Sequence, residues 1–226
     1  MAFFALIYIA ASLGALLLSW RAIFTSLVSV GAVFLINGFV LGPVFSYLGG
    51  ASLRAAVVGL TEEGIRSFLA SRFSNVGPWR TALATGVMFA LVENIPAISP
   101  FFQGASYGFD VQSIGVAYRS IKYDTILFAA IVAQPFIRAA IHVLLVYIAI
   151  ISINNRSYIS WSGILFFHGA LNYAVFSAIS RSQYVASVFI MIAALLLLST
   201  AALYQHKRFN KIKENINNKI NYMSQN

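Results

Sequence analysis

Only six acidic residues occur in 226, and three of them, Glu62, Glu63 and Glu93, stand about ten residues inside long apolar runs. His142 and His168 stand at a similar depth in two later runs, accompanied by Arg66, Asn94, Arg138 and Asn172. Ten residues of helix rise about 15 Å, half the thickness of a hydrocarbon core of about 30 Å. These polar groups therefore share one level near a bilayer midplane. They are also paired at a spacing of four: Glu62 with Arg66, Phe89 with Glu93, Arg138 with His142, and His168 with Asn172. Residues four apart lie on one helical face, so four helices can each aim a pair at a common centre.

The chemistry open to such a centre is hydrolytic. Two adjacent carboxylates in a low dielectric cannot both ionise cheaply, so one of Glu62 and Glu63 is expected to keep its proton near neutrality. A carboxyl tuned in that way suits general acid–base catalysis. A water held between it and a histidine or a second carboxylate becomes a nucleophile, with His168 and Asn172 one turn apart to donate hydrogen bonds to the oxyanion. Two histidines and a carboxylate also satisfy the ligand set of a catalytic Zn2+ site, with Glu63, Glu93, His142 and His168 as candidates. No HExxH helix is present, so the zinc version rests on composition and depth.

The blander reading is that these groups only hold helices together. A charged side chain at a helix centre costs about 2.5 to 3.5 kcal/mol on insertion, whereas an interhelical hydrogen bond returns about 0.6 to 2 kcal/mol. An apolar bundle would not carry five such charges for adhesion. Individually, Arg66 and Arg138 also read as counter-ions, and Asn94 as a bridge to backbone.

The rest of the chain is built to place this centre in lipid. It is 60% hydrophobic and 9% charged, with mean hydropathy +0.82, where a soluble domain has about 25% charged residues. Apolar runs at 3–19, 23–48, 53–71, 81–99, 126–153, 158–180 and 184–204 predict an all-α, polytopic transmembrane helical bundle of about seven helices. Arg54, Glu62, Glu63 and Arg66 interrupt the third run, and a hydropathy window alone would discard it. The bundle is one domain, 1–204, whose motif-bearing core spans about 55–180, and 205–226 is a basic tail. That tail is expected to lie along the headgroups as a frayed amphipathic helix or to stay disordered. A segment from about 100 to 125 with Pro100, Gly104, Gly108 and Gly115 links two helices as a cap or an access loop, and Gly38 and Gly42 form a GxxxG pair.

A net charge of +9 in such a chain reports helix orientation and contact with anionic headgroups at the tail, not nucleic acid. The first run has no Lys or Arg before it and Arg21 after it, the reverse of a signal peptide, so it is expected to be a retained helix. Alternation from an outside N-terminus puts nine cations (Arg21, Arg72, Arg80, Arg156, Lys207, Arg208, Lys211, Lys213, Lys219) in the cytoplasm and four (Arg54, Arg119, Lys122, Arg181) opposite. This is the positive-inside bias, with the C-terminus cytoplasmic. The absence of Cys excludes disulfides, thiol nucleophiles and cysteine zinc sites.

The segments TEEGIR (Thr61–Arg66), FALVEN (Phe89–Asn94), RAAIH (Arg138–His142) and HGALN (His168–Asn172), in this order, resemble the PrsW-type membrane proteases, distant relatives of the CAAX-prenyl endopeptidases and bacteriocin-processing proteases. The resemblance covers about residues 55–180. It implies hydrolysis of a peptide bond of a membrane-anchored protein substrate, in a prokaryotic plasma membrane, with Glu62 or Glu63 activating water and His168 and Asn172 matching the HxxxN motif that stabilises the oxyanion. The FxxxH motif of the CAAX-type relatives reads Phe89 to Glu93 here, which passes that histidine's role to Glu93 or His142. Arg66 stands where PrsW-type chains more often have Lys, and the extra residue of an EExxxR spacing is missing.

Other readings carry less. Gly104 to Gly108 match G-x-S-x-G around Ser106, but in a loop without the strand and helix of a nucleophile elbow. Asp110 and Asp124 fall at helix edges, where solvated aspartates are ordinary. A proton- or cation-coupled transporter also uses midplane Glu and His, yet two similar halves and paired broken helices are missing. A non-catalytic immunity or scaffold relative would not need the full Glu, Glu, His, His, Asn set.

Overall fold

A computed structural model describes residues 20–41, 43, 47, 50–73, 77–103, 125–181 and 183–225, which are helical with short connections and contain no strand. The side chains of Glu93 and Asn94 lie outside the described set, as do residues 3–19 and the segment 104–124 with Ser106, Asp110 and Asp124. The helices are α1 (Trp20–Leu35), followed by a π-helical segment (Ile36–Leu41), α2 (Ala51–Phe73), α3 (Pro78–Gln103), α4 (Thr125–Asn154), α5 (Tyr158–Ser180) and α6 (Tyr184–Gln225). Six of the seven expected runs are thus helices among the described residues, and the seventh, the first in the chain, lies outside them. The second run differs from expectation, since its regular helix gives way after Leu35 to the π-helical turn that contains Gly38.

Among the described residues three stretches are long and apolar enough to cross a membrane: Phe136–Asn154, Tyr158–Ser180 and Tyr184–Ile212. α2 is not among them, as its four interrupting charges foretell, yet it forms 23 unbroken residues of helix, about 35 Å. Three of its charges, Glu62, Glu63 and Arg66, are tolerated because they point inward, and the fourth, Arg54 in the first turn, is exposed. Glu63 and Arg66 are fully buried, whereas Phe166, Phe189 and Leu196 are 68%, 66% and 64% exposed. Polar inside and apolar outside is the arrangement a lipid solvent selects.

α4 is the hub, packing against α2, α3, α5 and α6, and every residue from Leu145 to Ile151 is buried. An apolar helix surrounded on all sides needs no polar face. Two seams close tightly because glycine permits it. A Cβ on Gly86 of α3 would lie 2.5 Å from Val143 Cα of α4, and one on Gly169 of α5 would lie 2.9 Å from Ala56 O of α2.

Of the two alternatives for the tail, helix and disorder, the structure shows helix, continuous with the last run of the bundle. α6 continues unbroken to Gln225, 42 residues and about 63 Å, roughly twice a hydrocarbon core. Extending a formed helix avoids the cost of nucleation, which a free Asn- and Lys-rich tail would have to meet by itself. His206 ties the extension back to the hub, its Nδ1 lying 2.6 Å from Tyr147 Oη of α4.

Candidate functional site

Helix length sets the level of each site residue. His142 stands 12 residues before the end of α4 at Asn154, and His168 stands 10 residues after the start of α5 at Tyr158, so the tight turn between them folds both back to about 15 to 18 Å. The same arithmetic brings Glu63, ten residues before Phe73, level with Phe89, eleven after Pro78. The two imidazoles consequently meet edge to face, with ring centroids 5.4 Å apart.

Arg66 organises one side of the cluster. Its Nη2 donates to Glu63 Oε2, its Nη1 donates to His142 Nδ1 at 2.9 Å, and its guanidinium lies over the Phe89 ring, 4.3 Å from the centroid. Phe89 in turn lies against His142 at 5.1 Å and against Phe34 of α1 at 6.2 Å, centroid to centroid. A buried cation is stabilised here by a carboxylate, an imidazole lone pair and an aromatic face together. Arginine has donors only, so Nδ1 of His142 accepts and the ring is the neutral tautomer with its proton on Nε2.

Glu63 also faces His168, whose Nδ1 lies 3.4 Å from Oε2, an ion-pair approach longer than a good hydrogen bond. With an ionised carboxylate on that side, the proton of His168 belongs on Nδ1. Behind Glu63, Ser67 Oγ donates to its carbonyl at 2.6 Å and receives the indole N–H of Trp161 at 2.9 Å, which pins α2 to α5.

Glu62 is turned about 100° around α2 from Glu63 and meets a different environment. It lines a cavity of about 420 Å³ between α2, α4, α5 and α6, together with His142, His168, Asn172, Arg54 and Arg138. Apolar residues including Val58, Ile141, Val175 and Met191 complete the wall. Glu63 and Arg66 are not part of that lining. Next to Glu62, Thr61 Oγ1 donates to Asn37 Oδ1 of the π-helical segment at 2.9 Å, and such segments often mark functional positions. Asn172 rests against Gly59, where a Cβ would come within 2.7 Å of its Nδ2 and 3.1 Å of His168 O.

The structure thus brings together Glu62, Glu63, Arg66, Arg138, His142, His168 and Asn172, seven of the nine residues singled out from sequence. Glu93 and Asn94 sit on α3 with side chains outside the described set. Several contributors were not singled out. Gly59 and Gly169 make the α2–α5 crossing and are visible in sequence only as small residues within the motif runs. Trp161 carries no sequence signal for its bond to Ser67. Arg54 reads from sequence as a boundary charge yet reaches the cavity.

A zinc ion does not fit the described donor set. The guanidinium of Arg66 already occupies the position between Glu63 and His142 that a cation would take, and His142 Nδ1 is engaged by it. Among the described residues no group of three His, Asp or Glu side chains converges as a metal site. Comparison of the chain with family models, with curated proteins and with solved structures finds no match.

Proposed function

We propose that this chain is a membrane-embedded endopeptidase that hydrolyses a peptide bond of a membrane-anchored protein, with Glu62 as the general base. The observation that carries this reading is a cavity whose wall holds Glu62, His142, His168 and Asn172 from three helices, inside an apolar exterior. The four ordered motifs that resemble the PrsW-type proteases support it. Glu62 takes a proton from a water in the cavity while the oxygen adds to the amide carbon, and the same carboxyl then delivers that proton to the departing nitrogen as the C–N bond breaks. The oxyanion is received by N–H donors. His142 offers Nε2–H in its neutral form and Asn172 offers its amide, with His168 beside them and its Nδ1 turned to Glu63.

In this reading Glu63 is a positioning residue and the two neighbouring glutamates divide the work. The bundle sits in a prokaryotic plasma membrane with the N-terminus outside and the C-terminus cytoplasmic, as the cation bias indicates. The test is cleavage of membrane-anchored reporter proteins by the full chain reconstituted in vesicles. Glu62→Gln should abolish cleavage and leave insertion intact; full proteolysis by that variant would sink the assignment. Stoichiometric zinc, lost together with activity on chelation, would overturn the metal-free version.

A further inference from the structure

Thr61 and Glu62 are consecutive on α2, and the side chain that meets Thr61 is Asn37, from the π-helical segment (Ile36–Leu41) that follows α1. The buried face of α1 holds Ser26, Ser29, Val30 and Val33, so a regular helix would continue it at 37 and then at 40. Asn37 keeps to that face and reaches α2, but Val40 is 63% exposed. The wider π turn rotates the chain outward after Asn37. Asn37 is thus the last inward residue of this strand of helix, placed against the neighbour of Glu62 by a change of winding.

The carboxamide has two polar ends, and only one is used. Oδ1 accepts from Thr61 Oγ1 at 2.9 Å, whereas Nδ2 is shut off from solvent with no hydrogen-bond partner among the described residues. Turning the amide over does not remove the orphan. Nδ2 would then donate to Thr61 Oγ1, whose own proton has Val57 O at 3.1 Å or Val58 O at 2.9 Å, and Oδ1 would be left instead. A buried polar atom without a protein partner is rare in native structures and ordinarily marks an ordered water, which takes about two to four polar partners. Consecutive Cα atoms are about 3.8 Å apart, and a water bridging two groups spans about 5.5 Å, so the free end of the amide lies within one water of the buried Glu62 carboxyl. Beside a carboxyl, the orientation that turns the amide N–H toward it is the favoured one.

We infer that Asn37 is a positioning residue for Glu62: its amide, fixed by Thr61, holds one buried water against the Glu62 carboxyl and so sets the direction in which that carboxyl meets the cavity. The inference rests on the endopeptidase reading for the use made of Glu62, but its first test does not depend on turnover. The chain has four glutamates, and infrared spectra of the full chain labelled with 13C-glutamate, reconstituted in vesicles, identify the Glu62 carboxyl band as the one lost in Glu62→Gln. That band should shift in Asn37→Leu, which keeps the shape and removes the amide, and in Thr61→Val, which removes the hydroxyl that fixes it. It should return to its place in Thr61→Ser and stay there in Trp161→Phe, whose lost bond lies behind Glu63.

The second test is cleavage of the reporter proteins. Asn37→Leu and Thr61→Val should each lower kcat by about tenfold to a hundredfold, the worth of a hydrogen bond to a charged group, while KM holds. Because both act through one bond, the double variant should lose no more than either alone, and Thr61→Ser should keep most of the rate. A Glu62 band that stays in place in Asn37→Leu would overturn the inference whether or not the chain cleaves anything. So would a raised KM with kcat unchanged, which would make Asn37 a part of the cavity's shape, or losses in the two single variants that multiply in the double. Should Asn37→Leu fail to fold, Thr61→Val decides alone, since it replaces a hydroxyl by a methyl of the same size. A band that shifts as expected in a chain whose unsubstituted form cleaves nothing would refute the endopeptidase and leave the contact between Asn37 and Glu62 standing.

Discussion

Glu62 and Glu63 are adjacent in sequence and belong to two different regions. The closed side of α2 holds Glu63, Arg66 and Phe89 against His142 and His168 with no opening to the cavity, and the open side presents Glu62 to it beside Asn172, Arg54 and Arg138. On the closed side every charge is met by another protein group, which suits a fixed scaffold. On the open side Glu62 lines a cavity that a ligand can fill. A carboxylate ion-paired with an arginine takes up a proton less readily than one without that neighbour, so in the proposed reaction the closed side holds the geometry and the open side reacts.

The largest effect should come from breaking the closed side. Arg66→Ala leaves Glu63 as an uncompensated buried charge and should destabilise the bundle by about 3 to 5 kcal/mol, read as a large drop in thermal unfolding temperature in detergent. The double variant Glu63→Gln/Arg66→Met should recover part of that stability because it buries no lone charge. If Arg66→Ala alone unfolded at the temperature of the unsubstituted protein, the closed side would not be the scaffold described. Next, Glu62→Gln should lower cleavage by about 10² to 10⁴, the usual worth of a general base, with little change in unfolding temperature. A variant that lost stability and kept activity would reverse the roles of the two glutamates.

Gly86→Ala attacks the floor beneath both regions, because the added methyl meets Val143 backbone one residue from His142. Overpacking at such a crossing costs about 1 to 3 kcal/mol, and His142 should shift with α4. Unchanged unfolding and unchanged activity in this variant would mean that the seam has slack the structure does not display. The smallest effect is expected for Trp161→Phe, which removes the donor to Ser67 behind Glu63 and should cost about 1 kcal/mol. Its activity should remain near that of the unsubstituted chain, since the bond it loses lies on the closed side.

Much of this arrangement was legible from the residues. Carboxylates and imidazoles midway along apolar runs imply inward-facing helices, and seven of the nine site residues do lie around one level on α2, α4 and α5; the expected shared face of Glu62 and Arg66 is not formed, because Arg66 pairs with Glu63 while Glu62 lines the cavity without either of them. The helix at 51–73 was legible only because its charges were read as a face; by hydropathy it does not qualify as a span. For the tail, composition left helix and disorder both open, because it reports the cost of starting a helix in water and not the ease of continuing one already packed at Tyr147 and His206.

The order of polar residues along the chain determined that a shared buried level exists, because helical rise and the cost of charge in lipid leave few other solutions. Tertiary structure alone decided which glutamate reaches open space, which nitrogen of His142 carries its proton, and that Arg54 joins the cavity wall. Those facts turn on how helices rotate and cross at Gly59, Gly86 and Gly169. A rotation of one residue's arc about a helix axis exchanges a sealed neighbour for an exposed one, and no local spacing fixes that angle.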